Sequence, residues 1–134
     1  MRTDIKITTT ISRESLECIF ATAFEGGSNY WAYITDEQWE IVDELTKECF
    51  FLNGEEKMLT TILDDKVNIE INCAENNDKV IGTLSAKTFK KRLQSLSNHD
   101  NYSRFLYAEL NGEGDAESSD VIFQYLVLGE VIYG

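Results

Sequence analysis

Proline is missing from this chain, histidine occurs once, and nowhere do apolar residues run for the ~18 positions that a membrane-crossing helix requires. No Pro/Gly/Ser linker or low-complexity tract divides the 134 residues, so residues 1–134 read as a single domain long enough to build a core. The opening "MRTDIKITTT" lacks the apolar centre of a signal peptide, so neither a membrane span nor export is expected, and the cytoplasm is the expected location. The three cysteines, Cys18, Cys49 and Cys73, form no CxxC or Cys/His cluster. That spacing argues against a zinc site or a disulfide framework and suits a reducing compartment.

Catalytic templates are equally scarce. No GxGxxG follows a strand and no GxxxxGK[ST] is present, which removes the dinucleotide-fold and P-loop explanations. His99, in "SNHDN", falls at an exposed helix end and reads as a solvated or C-capping residue rather than a base. The loop "NGEGDAESSD" alternates acids as a calcium loop does, but Ala116 and Ile122 stand where the sixth-position glycine and twelfth-position acid belong. Carboxylates are too numerous for any pair to stand out as acid and base. No metal or cofactor is expected, and binding is favoured over catalysis.

Positive charge is scarce too. Twelve Lys and Arg face twenty-four Asp and Glu, for a formal net charge of -12, which opposes direct binding of nucleic acid or anionic lipid. Asp36, Glu37, Glu40, Asp43, Glu44 and Glu48 crowd one segment against Lys47, whereas Lys87, Lys90, Lys91 and Arg92 cluster later. The acidic segment reads either as a solvated helix face or as a surface that imitates phosphates.

Periodicity supplies the elements. "DIKITTT" alternates as a half-buried strand. Ser12 is placed to cap a helix whose Leu16, Ile19, Phe20, Ala23 and Phe24 share one stripe, with Gly26 and Gly27 as its left-handed stop. "TDEQ" reads as a capping box, Thr35 with Gln38, opening a second helix through Trp39, Val42, Leu45, Cys49 and Phe50. Asn53-Gly54 suggests a turn, and "MLTTIL" and "VNIEINCA" a strand hairpin joined at "DDK". "DKVIGTL" reads as a short strand and Ser85 as the cap of "AKTFKKRLQSLSN". "NYSRFLYAEL" is a further helix, and "DVIFQYLVLGEVIYG" an apolar helix stopped at Gly129 with "EVIY" as a closing strand. The expected fold is α+β, a compact single domain with an antiparallel or mixed sheet and about four helices.

Two stretches carry candidate sites. In "EGGSNYW", Gly26 and Gly27 let a ligand approach the backbone, Ser28 and Asn29 offer polar groups, and Tyr30 or Trp31 offers a stacking face; as architecture, the glycines end a helix and the rings fill the core. In "DVIFQYLVL", Asp120 and Gln124 lie one helical turn apart amid apolar residues, so they either satisfy one another or line a polar strip. Asp115, Ser118 and Ser119 stand at the start of that helix, where free N–H groups favour an anion.

The stretches "AFEGGSNYW" at 23–31 and "DAESSDVIFQYLVLGEVIYG" at 115–134 resemble a family of small proteins encoded by phages and prophages. That family is marked by an EGGSNYW-type motif, an acidic turn followed by GxL, as at Asp78 to Leu84 here, and a C-terminal DA-x-x-x-DV-x-x-Q-x-x-x-x-GE-x-x-YG pattern. Ser118 and Ser119 stand where the pattern has Thr and Ala, Leu128 where it has Phe, and the helix from Asp36 onwards is particular to this chain. The resemblance brings no shared activity, but it implies an infected bacterial host and a role against host defences. The first expectation is a non-enzymatic binder that sequesters a small nucleotide-like signalling ligand. Gly26, Gly27, Ser28, Asn29, Tyr30 and Trp31 would form one side of its site and Asp120 and Gln124 the other, with Arg13, Lys91 or Arg92 offsetting ligand phosphate. The alternative is an acidic, nucleic-acid-mimicking inhibitor of a host defence protein. The apolar C-terminal run and the aromatic turn also offer surfaces for homo-oligomerisation.

Overall fold

The computed structural model describes residues 10–134; the strand expected in "DIKITTT" lies outside them. Among the described residues, six α-helices and a three-stranded antiparallel sheet make an α+β fold, two helices more than expected. The helices are α1 (Arg13–Thr22), α2 (Asp36–Leu45), α3 (Gly54–Leu63), α4 (Ala86–Ser97), α5 (Ser103–Leu110) and α6 (Ala116–Leu128). The strands are β1 (Ala32–Tyr33), β2 (Ile69–Cys73) and β3 (Val80–Leu84), in spatial order β1-β2-β3.

Helix α6 is the axis of the fold. It is mostly apolar, and all residues from Ser118 to Val127 are buried, the polar Ser118, Ser119, Asp120 and Gln124 among them. Helices α1, α4 and α5, the turn after α1, and β3 all pack on it. Gly129, at φ 78°, ends it in the left-handed conformation. Beyond the stop, Arg92 of α4 donates Nη1 to Leu126 O and Val127 O, both at 2.8 Å, so a cation sits on carbonyls at the negative end of the helix. At the other edge, Arg13 of α1 donates to Thr60 Oγ1 (2.6 Å) and Glu56 O (3.1 Å), joining α1 to α3.

Several local expectations hold and several change. Ser12, Thr35 and Ser85 each cap their helices by accepting from the third residue on. Gln38, however, does not reach back to Thr35. Its Oε1 accepts from Glu70 N at 3.2 Å and pins α2 to β2 instead. "MLTTIL" is helical. At the turn expected from Asn53-Gly54, Asn53 accepts from Glu56 N as the N-cap of α3, and Met58, Leu59, Thr61 and Ile62 bury one helical face. The hairpin is formed by β2 and β3, in register Ile69 with Leu84 and Ile71 with Gly82. "EVIY" is not a strand, because its backbone is held by a side chain of α6. The glycines after α1 take no left-handed turn; the helix widens at Ala23 and kinks at Gly26, whose φ of 160° and ψ of -26° are not helical.

One close approach fixes the sheet on α6. A Cβ on Gly82 would lie 2.7 Å from Val127 O, a backbone atom that cannot move aside. Gly82→Ala is therefore expected to cost about 1–3 kcal/mol as β3 is pushed off the helix. A urea midpoint unchanged by the substitution would contradict this packing.

Candidate functional site

The two candidate stretches meet. The turn after α1 delivers Ser28 to the flank of α6, and the following turn, closed by Trp31 N to Ser28 O (3.1 Å), aims Ser28, Tyr30 and Trp31 at one carboxylate. Ser28 Oγ and Trp31 Nε1 donate to Asp120 Oδ1 at 2.8 and 2.7 Å, while Tyr30 OH and Gln124 Nε2 donate to Oδ2 at 2.6 and 3.1 Å. A carboxylate has about four acceptor positions, and these four donors occupy them. Gly27 makes room for the approach. A Cβ there would lie 3.1 Å from Ala116 O.

Gln124, 0% exposed, is used just as completely. Its second N–H reaches Tyr133 O at 3.1 Å, and Oε1 accepts from Ile132 N (2.9 Å) and Tyr133 N (3.0 Å). One amide side chain thus replaces the strand partner that "EVIY" lacks. The tail it holds lays Tyr133 flat on Trp31, with ring centroids 5.3 Å apart and planes 8° from parallel. Phe123 covers another side of the indole at 5.8 Å. Trp31 is 2% exposed, so its faces are taken by the protein's own rings.

Tyr30 differs, being 48% exposed with only its hydroxyl turned inward. Burial of that hydroxyl, together with the hydrogen bond and charge of Asp120, pushes its pKa well above the ordinary tyrosine value. Burial does the same for Tyr125, helped by Tyr102 and Glu130.

The start of α6 is similarly filled. Asp115 and Ser118 form a reciprocal capping box, and Glu109 Oε1 accepts from Ser118 Oγ and Ser119 Oγ, both at 2.9 Å. Two carboxylates occupy the place suggested for an anion. His99 Nδ1 accepts from Asn101 N and Tyr102 N, fixing the start of α5. Among the described residues no buried side-chain polar atom lacks a partner, and no group of three His, Cys, Asp or Glu is placed to hold a metal ion.

Space remains beside the motif. A cavity of about 190 Å³ is bordered by Ser28 and Asn29 and walled by Phe24, Tyr33, Trp39 and Phe123. Asp120, Gln124 and Trp31 do not line it. Of the eight residues proposed from the two motifs, Ser28 and Asn29 border the cavity, while Asp120, Gln124, Tyr30, Trp31 and Ser28 itself form the lock beside it. Glu109, Phe123 and Tyr133 complete these arrangements, and only the proximity of Phe123 to Gln124 in sequence hinted at any of them.

A second surface was less visible in the sequence. Helix α2 stops at Leu45, so Cys49 and Phe50 lie in the loop before α3 and do not extend its apolar stripe. Phe50 and Phe51 are 84% and 74% exposed. Adjacent aromatics cannot share one helical face, a signal that was available in the sequence.

Two measurements test the lock. Asp120→Ala leaves the buried Ser28 and Trp31 donors without an acceptor and is expected to cost more than about 3 kcal/mol in urea unfolding; a change within about 0.5 kcal/mol would mean that Asp120 does not hold the fold. For Tyr30, the phenol is neutral in both folded and unfolded states below the ordinary pKa of 10.0, so its contribution is constant there. Above pH 10.0 the unfolded chain loses the proton first, and stability falls as pH rises. Tyr30→Phe should lower stability at neutral pH and flatten that alkaline loss. Among known proteins no family model, curated protein or solved structure matches the chain, so its function is argued from this geometry.

Proposed function

We propose that the chain is a non-enzymatic, protein-binding inhibitor whose acidic α2 surface takes the place of nucleic-acid phosphates on a basic partner. The observation that carries this reading is the one-sided use of α2. Val42 is its single buried residue, and Asp36, Glu37, Glu40, Asp43, Glu44 and, just beyond, Glu48 are all exposed. Ten residues of helix span about 15 Å, and at roughly 100° per residue the five acids fall within about one third of its circumference, which gathers their charge on one face. Ion pairing quenches little of this. Lys47 meets Glu44 at 3.0 Å and Lys57 meets Asp43 at 3.5 Å, both at the surface, where such pairs contribute about 1 kcal/mol at most. The resemblance to phage-encoded proteins suggests a nucleic-acid-binding component of host defence as the partner.

Sequestration of a nucleotide-like ligand is the second reading, favoured by the cavity at Ser28 and Asn29. Its volume is below the ~300–1,000 Å³ of ordinary ligand sites, enough for a planar ring but not a whole nucleotide. Arg13 and Arg92, two of the cations proposed to offset phosphate, are engaged in joining helices. We therefore place this reading second, reversing the order the sequence suggested. Absence of calorimetric heat with any cyclic or ADP-ribose-type nucleotide would remove it.

The main reading is tested by cross-linking the tagged chain to its partner in host extract, purifying that partner, and measuring its release from duplex DNA. The chain should displace DNA, with an effect that falls steeply with salt. Asp43→Lys combined with Glu44→Lys should abolish displacement while leaving thermal stability nearly unchanged. Displacement indifferent to salt and to both reversals would sink the proposal.

A further inference from the structure

Burial of apolar surface is the main drive to fold, yet two phenylalanines stand outside this molecule. Phe50 and Phe51 meet edge to face, with centroids 6.0 Å apart, on the loop between α2 and α3, while their neighbours Cys49 and Leu52 are half-buried. Ile41 and Leu45, one turn apart on α2, are also exposed. Between Asp36 and Glu56 the same segment carries eight acids against Lys47 alone. Aromatic side chains exposed in a pair and bordered by charge are the composition of an interface centre with a polar rim.

We infer that Phe50 and Phe51 anchor a partner that presents an apolar pocket inside a basic rim. The inference rests on the reading of α2 as an acidic docking face and adds what charge alone lacks. Carboxylates speed encounter and make binding salt-sensitive, whereas desolvated aromatics in a pocket slow dissociation and resist salt. Charge also selects the occupant. A second copy, paired through the same patch, would press one acidic rim against another, and an anionic lipid surface would meet a chain of net charge -12. A cationic partner gains from both rim and centre.

The probe is a pair of short helical peptides with equal numbers of lysines, one with a stripe of leucines flanked on both sides by those lysines and the other with serines in the stripe. Each is titrated into the protein by calorimetry at about 50 and about 300 mM salt, conditions that differ in screening length. The parent should prefer the Leu/Lys peptide by at least about ten-fold, with the preference persisting at the higher salt. Phe50→Ser with Phe51→Ser should erase the preference and leave Ser/Lys binding unchanged. Asp43→Lys with Glu44→Lys should weaken both peptides. Equal affinity of the parent for the two peptides would overturn the anchor and spare the acidic face. Failure of both peptides to bind would overturn anchor and face together. Dimerisation seen by sedimentation and lost in the Phe double variant would name a second copy as the occupant and overturn the inference.

Discussion

A carboxylate taken out of water must recover its lost hydration from fixed donors, and Asp120 does so with four of them drawn from two distant parts of the chain. Among the described residues no salt bridge reaches it, so neutral O–H and N–H groups carry the whole load. Such an arrangement tolerates no partial version. Losing one donor leaves an acceptor bare, and losing the carboxylate strands Ser28 and Trp31 in the core. The bond from Ser28 closes a separation of 92 residues, and Trp31, whose carbonyl accepts from Ala74 N at 2.9 Å, passes that constraint to the sheet. Gln124 extends it to the C-terminal tail. Helix α6, the sheet and the tail are thus oriented by one charge and one amide.

Saturation inside moves the available chemistry outside. Ser28 and Trp31 are committed to Asp120, the amide of Gln124 to the tail, and the hydroxyls at the start of α6 to Glu109. Two cations are likewise committed, Arg92 to the end of α6 and Arg13 to α3. The acids of α2 face solvent with few local counter-charges. A net charge of -12 read from composition alone describes solubility; the placement of basic residues at helix junctions turns it into a directed field.

Much of this was legible locally. Ser12, Thr35, Ser85 and Gly129 act within one turn of their own positions, and the i, i+4 relation of Asp120 and Gln124 follows from helical geometry alone. The errors share a different cause. "MLTTIL" is rich in β-branched residues, and its fate was decided by Asn53 capping Glu56 and by which face meets the core, so tertiary context overrode propensity. Gln38 had a local partner within reach and took Glu70 N across the fold instead. The closing strand failed because a side chain, invisible to period-2 patterning, satisfies its backbone. At the candidate site, the residue types were legible but their saturation was not, since hydrogen bonds spanning about ninety residues leave no periodic trace.

The division between lock and surface has an energetic consequence. Substitutions in the Asp120 and Gln124 network share partners and cannot act independently, whereas α2 touches the core through Val42 and the half-buried Trp39 and Gln38, and its acids lie outside. The charge of that helix can therefore vary with little cost to folding. The freedom to vary belongs to the solvent face of α2 alone, because α3, β2, β3 and α4 in the middle of the chain supply Met58, Leu59, Ile62, Ile69, Ile71, Leu84, Phe89 and Leu96 to the core. The acids and the exposed phenylalanines are therefore surface that the fold does not use, whereas the more distinctive "EGGSNYW" turn is consumed by the lock.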